Sequence, residues 1–332
     1  MTSKALIAPG SDAIRSAVKA LSPYSVSTPL LRFDRPAQSA GIFLKLECMQ
    51  AIGAFKVRPI GNILLNAPAD SLRNGTYTAS SGNAGLALAW MARKLEIPAT
   101  VYAPDSSPPG KLAAIRGLGA QVSMLSDDDW WQLMVEGRHP DDPGIYVDAV
   151  RNPQALAGNA TIGHEILRQC PDVDTVITPF GGGGLSCGIA SAIRQVKPDT
   201  RIIVAECESA APLNAAFRAG RPVPVEMQSS IVSGAGAPSV LQEMWPLLNQ
   251  LIDDSVVVPE SAVTDAVRDL FLKTKIVAEG AGAVALAGAR SAGRDFRKTA
   301  CIVSGGNIDA TEMTAILRTA EENVAGASEE SD

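Results

Sequence analysis

Lys56 lies in a short apolar stretch, Ile52-Gly53-Ala54-Phe55-Lys56-Val57, with hydrophobic residues on both sides. An amine in such surroundings loses hydration of its charged form, so its pKa falls and the neutral nucleophile becomes accessible. Much later, four consecutive glycines, Gly181, Gly182, Gly183 and Gly184, join a strand-like segment to a helix-like one. Glycines at such a turn let backbone N–H groups and a helix N-terminus close on a phosphate. Amine and phosphate cradle together suit an aldehyde-bearing phosphate held as a Schiff base, for which pyridoxal 5'-phosphate is the leading candidate.

Two further segments fall where ligands bind in open α/β sheets, beyond the C-terminal ends of strands. Ser80-Ser81-Gly82-Asn83-Ala84-Gly85 offers hydroxyls, an amide and N–H groups to a carboxylate and a ring hydroxyl, and Ser304-Gly305-Gly306-Asn307 follows the last strand-like segment. Each alone reads equally well as an ordinary turn, and an isolated lysine is most often a solvated or snorkelling side chain. Their recurrence at equivalent places along the chain is what points to a ligand site.

The elements that must carry these segments alternate. Strands are expected at 41–47, 76–79, 99–103, 121–125, 175–178, 201–205 and 299–303, with helices over about 84–95, 111–118, 185–196 and 311–321. This rhythm implies an α/β fold of two open parallel-sheet sub-domains with helices on both faces. Residues 1–74 and 151–320 are assigned to the larger and 75–150 to the smaller, with 321–332 a frayed acidic tail. The Asp- and Pro-rich stretch 126–153, with Trp130 and Trp131, is expected to hold a helix and a crossing loop; core packing is the simpler role for the tryptophans.

With 332 residues, 46% hydrophobic and 19% charged, the chain has ample material for a core. The formal charge of −6 and the lack of a basic stripe argue against nucleic acid. Five scattered cysteines, with no C-x-x-C pair, read as reduced thiols and not as a zinc site. The N-terminus breaks at Pro9, too early for a signal peptide, and no apolar run approaches bilayer length. A cytoplasmic protein that avoids membranes and acts on a small molecule is expected.

Two motifs compete. Gly184-Leu185-Ser186-Cys187-Gly188 matches a hydrolase nucleophile elbow, but His139 and His164, a loop and a helix-surface residue, both precede Ser186, and the required order fails. Gly280-Ala281-Gly282-Ala283-Val284-Ala285 matches a dinucleotide fingerprint, but 275–279 is weakly strand-like, and close helix packing explains the glycines better.

Together these segments resemble the fold type II pyridoxal phosphate enzymes (tryptophan synthase β-like), in the serine/threonine dehydratase and serine racemase branch. The family's S-F-K-x-R-G stands here as Ala54-Phe55-Lys56-Val57-Arg58-Pro59, its S-[SA]-G-N-[HA]-[GA] as 80–85, its G-G-G-G as 181–184 and its S-G-G-N as 304–307. Weaker matches are Ala157-Gly158-Asn159-Ala160-Thr161 and Glu279-Gly280-Ala281-Gly282-Ala283. The likeness runs from about residue 20 to 320.

The resemblance implies that Lys56 bonds the cofactor and then removes the substrate's Cα proton, with Phe55 beside the ring and Asn83 on its hydroxyl. It places the phosphate on Gly181, Gly182, Gly183, Gly184 and the Leu185 N–H, and the pyridine nitrogen on Ser304. Ser80, Ser81, Gly82, Asn83 and Ala84 would meet the substrate. The implied activity is a dehydratase, or ammonia-lyase, turning a β-hydroxy amino acid into a 2-oxo acid and ammonia, as a homodimer. Ser81 keeps a racemase open, as an acid/base opposite Lys56, though substrate binding is its simpler role; a β-replacement synthase and a non-catalytic homologue are further alternatives. Departures are Pro59 for glycine, Asn159-Ala160 for Gln-Gly, and Ala149-Val150-Arg151-Asn152-Pro153 for P-F-D-D-P. The last suggests that Arg151, or Arg138, reads an acidic substrate side chain. The family's cation ligands fall on Glu206, Ala210 and Pro212, and proline offers no carboxylate, so no metal is expected. With no regulatory domain expected after 320, the enzyme reads as catabolic or specialised.

Overall fold

A computed structural model of the chain describes residues 6–33, 41–80, 82–107, 109–232, 234–291 and 297–318. Its strands are β1 (Leu30–Arg32), β2 (Gly41–Lys45), β3 (Thr76–Ala79), β4 (Ala99–Pro104), β5 (Gln121–Leu125), β6 (Ile145–Tyr146), β7 (Thr175–Pro179), β8 (Arg201–Cys207), β9 (Asp254–Val258) and β10 (Lys298–Ile302). They form a six-stranded sheet in the order β1-β2-β10-β7-β8-β9 and a four-stranded sheet in the order β5-β4-β3-β6. Every pairing is parallel except β1 with β2. The smaller sheet draws only on strands between Thr76 and Tyr146, and the larger on strands either side of them.

The helices are α1 (Ser11–Leu21), α2 (Val57–Asn66), α3 (Ala69–Leu72), α4 (Asn83–Leu95), α5 (Pro109–Gly117), α6 (Asp127–Glu136), α7 (Pro153–Gln169), α8 (Gly184–Arg194), α9 (Pro212–Ala219), α10 (Trp245–Leu251), α11 (Glu260–Asp269) and α12 (Gly280–Ser291). A further helix covers 310–318. Among the described residues no helix is long and apolar enough to cross a membrane.

Strands buried on both faces read as continuous apolar runs, and the period-two alternation of side chains divides them between two cores. Ile177, Ile203, Ala205 and Cys301 pack on one face with residues of α11 and α12. Val176, Ile202, Val204 and Ala300 pack on the other with residues of α7, α8 and α10. A third core joins Ile60, Ile63 and Leu64 of α2 to Leu88 and Met91 of α4 and Val101 of β4. Each fully buried aliphatic side chain contributes about 1.5–3 kcal/mol. Because α2 packs on both α4 and α7, the helix that follows Lys56 is wedged between the two sheet layers.

Two features of the sequence reading change, the extent of one strand and the number of short or edge strands, while the close packing expected at 280–282 is met. The strand expected over 41–47 stops at Lys45, and a 3-10 turn, Glu47–Met49, follows. Residues 275–279 form no strand, and the glycines after them pack α12 closely: a Cβ on Gly282 would collide with the Gly305 carbonyl. Strands β1, β6 and β9 have no counterpart in the expected pattern because two are only 2–3 residues long and β9 is an edge strand with mixed burial. Residues 321–332 lie outside the described residues.

Candidate active site

Lys56 immediately precedes α2, at the end of a loop tied by its backbone to the turn after β10. Phe55 N donates to Ser304 O at 3.0 Å and Gly306 N to Gly53 O at 2.8 Å, while Ala54 and Gly305 form an isolated bridge. Two segments some 250 residues apart in sequence are thereby held side by side. The Lys56 Nζ stands 4.8 Å from the Phe55 ring centroid, and no described residue hydrogen-bonds or ion-pairs with it. Desolvation lowers its pKa from 10.5 to about 8, with Asp148 pulling the other way.

A buried ion cluster fixes the helix behind it. Arg58, 1% exposed, donates to Glu47 at 2.7 and 2.9 Å, to Glu165 at 2.7 and 3.0 Å and to Thr161 at 2.9 Å. Lys45 donates to Glu165 at 2.5 Å and to the Thr28 carbonyl at 2.7 Å. Burial opposes ionisation of Glu47, but Arg58 outweighs it and holds the carboxyl below its ordinary range. Pro59 is accommodated because it sits in the first turn of α2, where a helix leaves its N–H groups unpaired in any case.

The glycine run spans β7 to α8. Gly183 caps α8 with φ +88°, a conformation that excludes most other residues, and its Cα faces Leu248. Gly182 and Gly184 lie against Val150 and Ala149, next to Asp148, and Gly181 lies near Gly234 and Ala235. No described residue accepts a hydrogen bond from the N–H groups of Gly181 through Leu185. This row of free donors at a helix N-terminus is fitted to an anion, and with the lowered Lys56 amine it fits a phosphate-bearing aldehyde. Ser186 is buried against Thr178, Oγ to Oγ1 at 2.7 Å, as a packing residue.

Asn83 opens α4. Its Nδ2 donates to Glu279 Oε1 at 2.6 Å, and its Oδ1 accepts from Asn307 Nδ2 at 2.7 Å. Ser80 Oγ accepts from Gly82 N at 3.1 Å, the space beside the Gly82 Cα is open, and Ala84 follows in the first turn of α4. Ser81 lies outside the described residues. Ser304 is buried, and its hydroxyl donates to the Ala281 carbonyl at 3.2 Å. The loops carrying Phe55, Lys56, Asn83 and Ser304 are thus joined by direct hydrogen bonds, and the 148–150 crossover brings the glycine run to them. Glu279 escaped the sequence reading; its place in a weakly matching segment was the available signal.

Arg151, expected as a substrate contact, has several partners within the protein. Its Nε donates to Asp148 at 2.6 Å, and its two Nη atoms donate to the carbonyls of Val135 and Met134 at 2.9 and 2.7 Å. Arg138 and His139 line a surface groove of about 500 Å³ with residues of α6, and the His139 ring stacks on Tyr102 at 4.5 Å. Trp130 donates to the Tyr102 carbonyl at 3.2 Å and packs with Tyr77 and Tyr146. Glu206 accepts from Leu213 N and Asn214 N, both at 2.8 Å, and from Ser255 Oγ at 2.5 Å. Its oxygens cap α9.

A sequence profile of the family described as "Pyridoxal-phosphate dependent enzyme" matches residues 21–305. The chain is 35% identical over 280 residues to the L-threonine ammonia-lyase of Geobacter sulfurreducens, across 83% of this chain and 69% of the relative. It is 31% identical over 313 residues to the serine racemase of Oryza sativa subsp. indica, across 89% and 90% of the two chains. The solved structure of the T.th. threonine deaminase superposes with a TM-score of 0.84 at 29% identity, covering 91% of this chain and 99% of that one.

Proposed function

The chain belongs to the pyridoxal-phosphate dependent enzymes, and we propose that within that family it is an ammonia-lyase for a small β-hydroxy amino acid, such as serine, threonine or a 3-substituted serine. The observation that carries this reading is a desolvated Lys56 amine, without a hydrogen-bond partner among the described residues, on a loop that the Phe55 N to Ser304 O bond ties to the segment carrying a neutral hydroxyl. The match to an L-threonine ammonia-lyase supports it.

Pyridoxal phosphate, when bound, supplies an aldehyde carbon for an amine and a conjugated ring that takes up electrons from Cα. Lys56 Nζ would hold the cofactor at its aldehyde carbon, and as a neutral amine it would be the base for the substrate's Cα proton. The N–H groups of Gly181, Gly182, Gly183, Gly184 and Leu185 would bind the phosphate. Asn83 would donate from Nδ2 to the ring oxygen, and Phe55 would pack beside the ring. Ser304 would present a hydroxyl to the pyridine nitrogen, which would not keep that nitrogen protonated as a carboxylate would, a setting suited to loss of a β-hydroxyl as water. Ser80 and the backbone at Gly82 and Ala84 hold the substrate carboxylate. Hydrolysis of the released unsaturated amine restores the water and yields a 2-oxo acid and ammonia.

The same reading takes 1–74 with 151–320 and 75–150 as two domains, and the enzyme as a cytoplasmic homodimer, consistent with five unpaired cysteines. The test is incubation with β-hydroxy amino acids of both configurations, assaying ammonia, 2-oxo acid and enantiomer separately. Ammonia and 2-oxo acid from at least one substrate, absent in Lys56→Ala, are expected. Enantiomer exchange without ammonia would identify a racemase, and no turnover of any substrate a non-catalytic homologue.

A further inference from the structure

Glu279 starts α12 with its backbone, its carbonyl accepting from Gly282 N at 2.8 Å and Ala283 N at 3.1 Å. Its side chain turns across the seam between the layers to Asn83, whose other end is held by Asn307. Asn307 is in turn anchored through Nδ2 to the Ile52 carbonyl at 2.9 Å, close to the lysine loop. The fit is close: a Cβ at Gly305 would run into the Glu279 carboxyl and the Asn83 amide.

We propose that Glu279 is a positioning residue that holds the Asn83 amide with its nitrogen, and not its oxygen, turned to the cofactor's ring oxygen; this rests on the cofactor reading above. An asparagine amide is nearly symmetrical in shape, so only its partners decide which end points where. In the observed orientation one Nδ2 proton goes to the carboxylate, and the second has no described acceptor and remains for the ring. Turned over, Asn83 would set Oδ1 against the Glu279 carboxylate and Nδ2 against the Asn307 amide nitrogen, replacing two hydrogen bonds with two repulsions. An ionised carboxylate can only accept, so it enforces this choice. A protonated one can donate to Oδ1 and relaxes it.

The groups facing Glu279 are Asn83 on α4, Lys111 on α5, Glu312 on the 310–318 helix and Cys48 after β2, with Asp309 and Glu260 beyond Glu312. Burial raises the Glu279 carboxyl to about 7, against the Asn83 hydrogen bond and Lys111, with Glu312 adding to the rise. The carboxylate therefore takes up its charge through the neutral range, and the amide becomes fixed as pH rises.

The experiment measures pyridoxal phosphate dissociation constants, from the visible band, for apo-protein of the wild type, Asn83→Ala, Glu279→Ala and the double variant. Each single change should weaken binding by about tenfold, as expected for a charge-assisted hydrogen bond. The double variant should bind no more weakly than Asn83→Ala, because Glu279 acts only through Asn83. Glu279→Gln retains the shape and covers a Glu279→Ala that fails to fold. The ratio of its dissociation constant to that of the wild type should grow from about pH 6 to about pH 8, a ratio in which pH effects common to both proteins cancel. Multiplicative losses in the double variant, unchanged binding in Glu279→Ala, or a ratio that does not move with pH would each overturn the proposal. A wild type that develops no visible band at any cofactor concentration would instead remove the cofactor reading beneath it.

Discussion

Two buried lysines, Lys45 and Lys56, differ in what surrounds their nitrogens. Burial lowers the pKa of both, but Lys45 has Glu165 working against that and three acceptors in reach, so it serves as a structural cation. Lys56 has no acceptor among the described residues, and its pKa falls to about 8. The sign follows from the amine being reactive only when neutral: below about 8 it is increasingly protonated, above it increasingly free. About a tenth of it is neutral at about pH 7, against less than a thousandth for an ordinary lysine. Cofactor uptake by apo-protein should accordingly accelerate with pH and level off above a midpoint near 8. A stopped-flow profile still rising in proportion to hydroxide at about pH 10 would show an ordinary lysine.

At the scale of elements, the glycine run and α2 present these groups. Gly183→Ala forces a side chain into the left-handed region, at about 1–2 kcal/mol, and against Leu248, whereas a Cβ at Gly181 would meet atoms no nearer than 3.8 Å. Gly183→Ala should weaken cofactor binding markedly and Gly181→Ala little; equal effects in equilibrium titrations would contradict the cradle geometry. Arg58→Leu leaves Glu47 and Glu165 facing one buried cation fewer, and should cost about 3–5 kcal/mol in denaturant unfolding. A loss under about 1 kcal/mol would mean that the cluster does not anchor α2.

Across the whole molecule, what acts locally could be read from the residues in order, and what acts across the chain could not. The glycine run, the lysine in its apolar stretch and the strand-then-turn segments at 80–85 and 304–307 carry their chemistry in neighbouring residues, and the central strands announce themselves as apolar runs. Glu279 meets Asn83 across 196 positions, and no local pattern marks that pairing. Besides Asp148 three residues before it, Arg151 is held by the carbonyls ending α6, and these are backbone groups without sequence identity that no local pattern marks. Its contacts, with Glu243 at 3.6 Å, make it a clasp between the two layers. Arg151→Ala should then change kcat/KM by a similar factor for serine, threonine and hydroxyaspartate; a loss confined to the acidic substrate would return it to substrate recognition.

The bond at Lys56 is tested most directly by reducing the cofactor-loaded protein with borohydride, digesting it and sequencing the modified peptide by mass spectrometry. The account predicts a single pyridoxyl adduct, on Lys56, accompanied by loss of the visible band. An adduct on another lysine, or none in protein that shows that band, would contradict it.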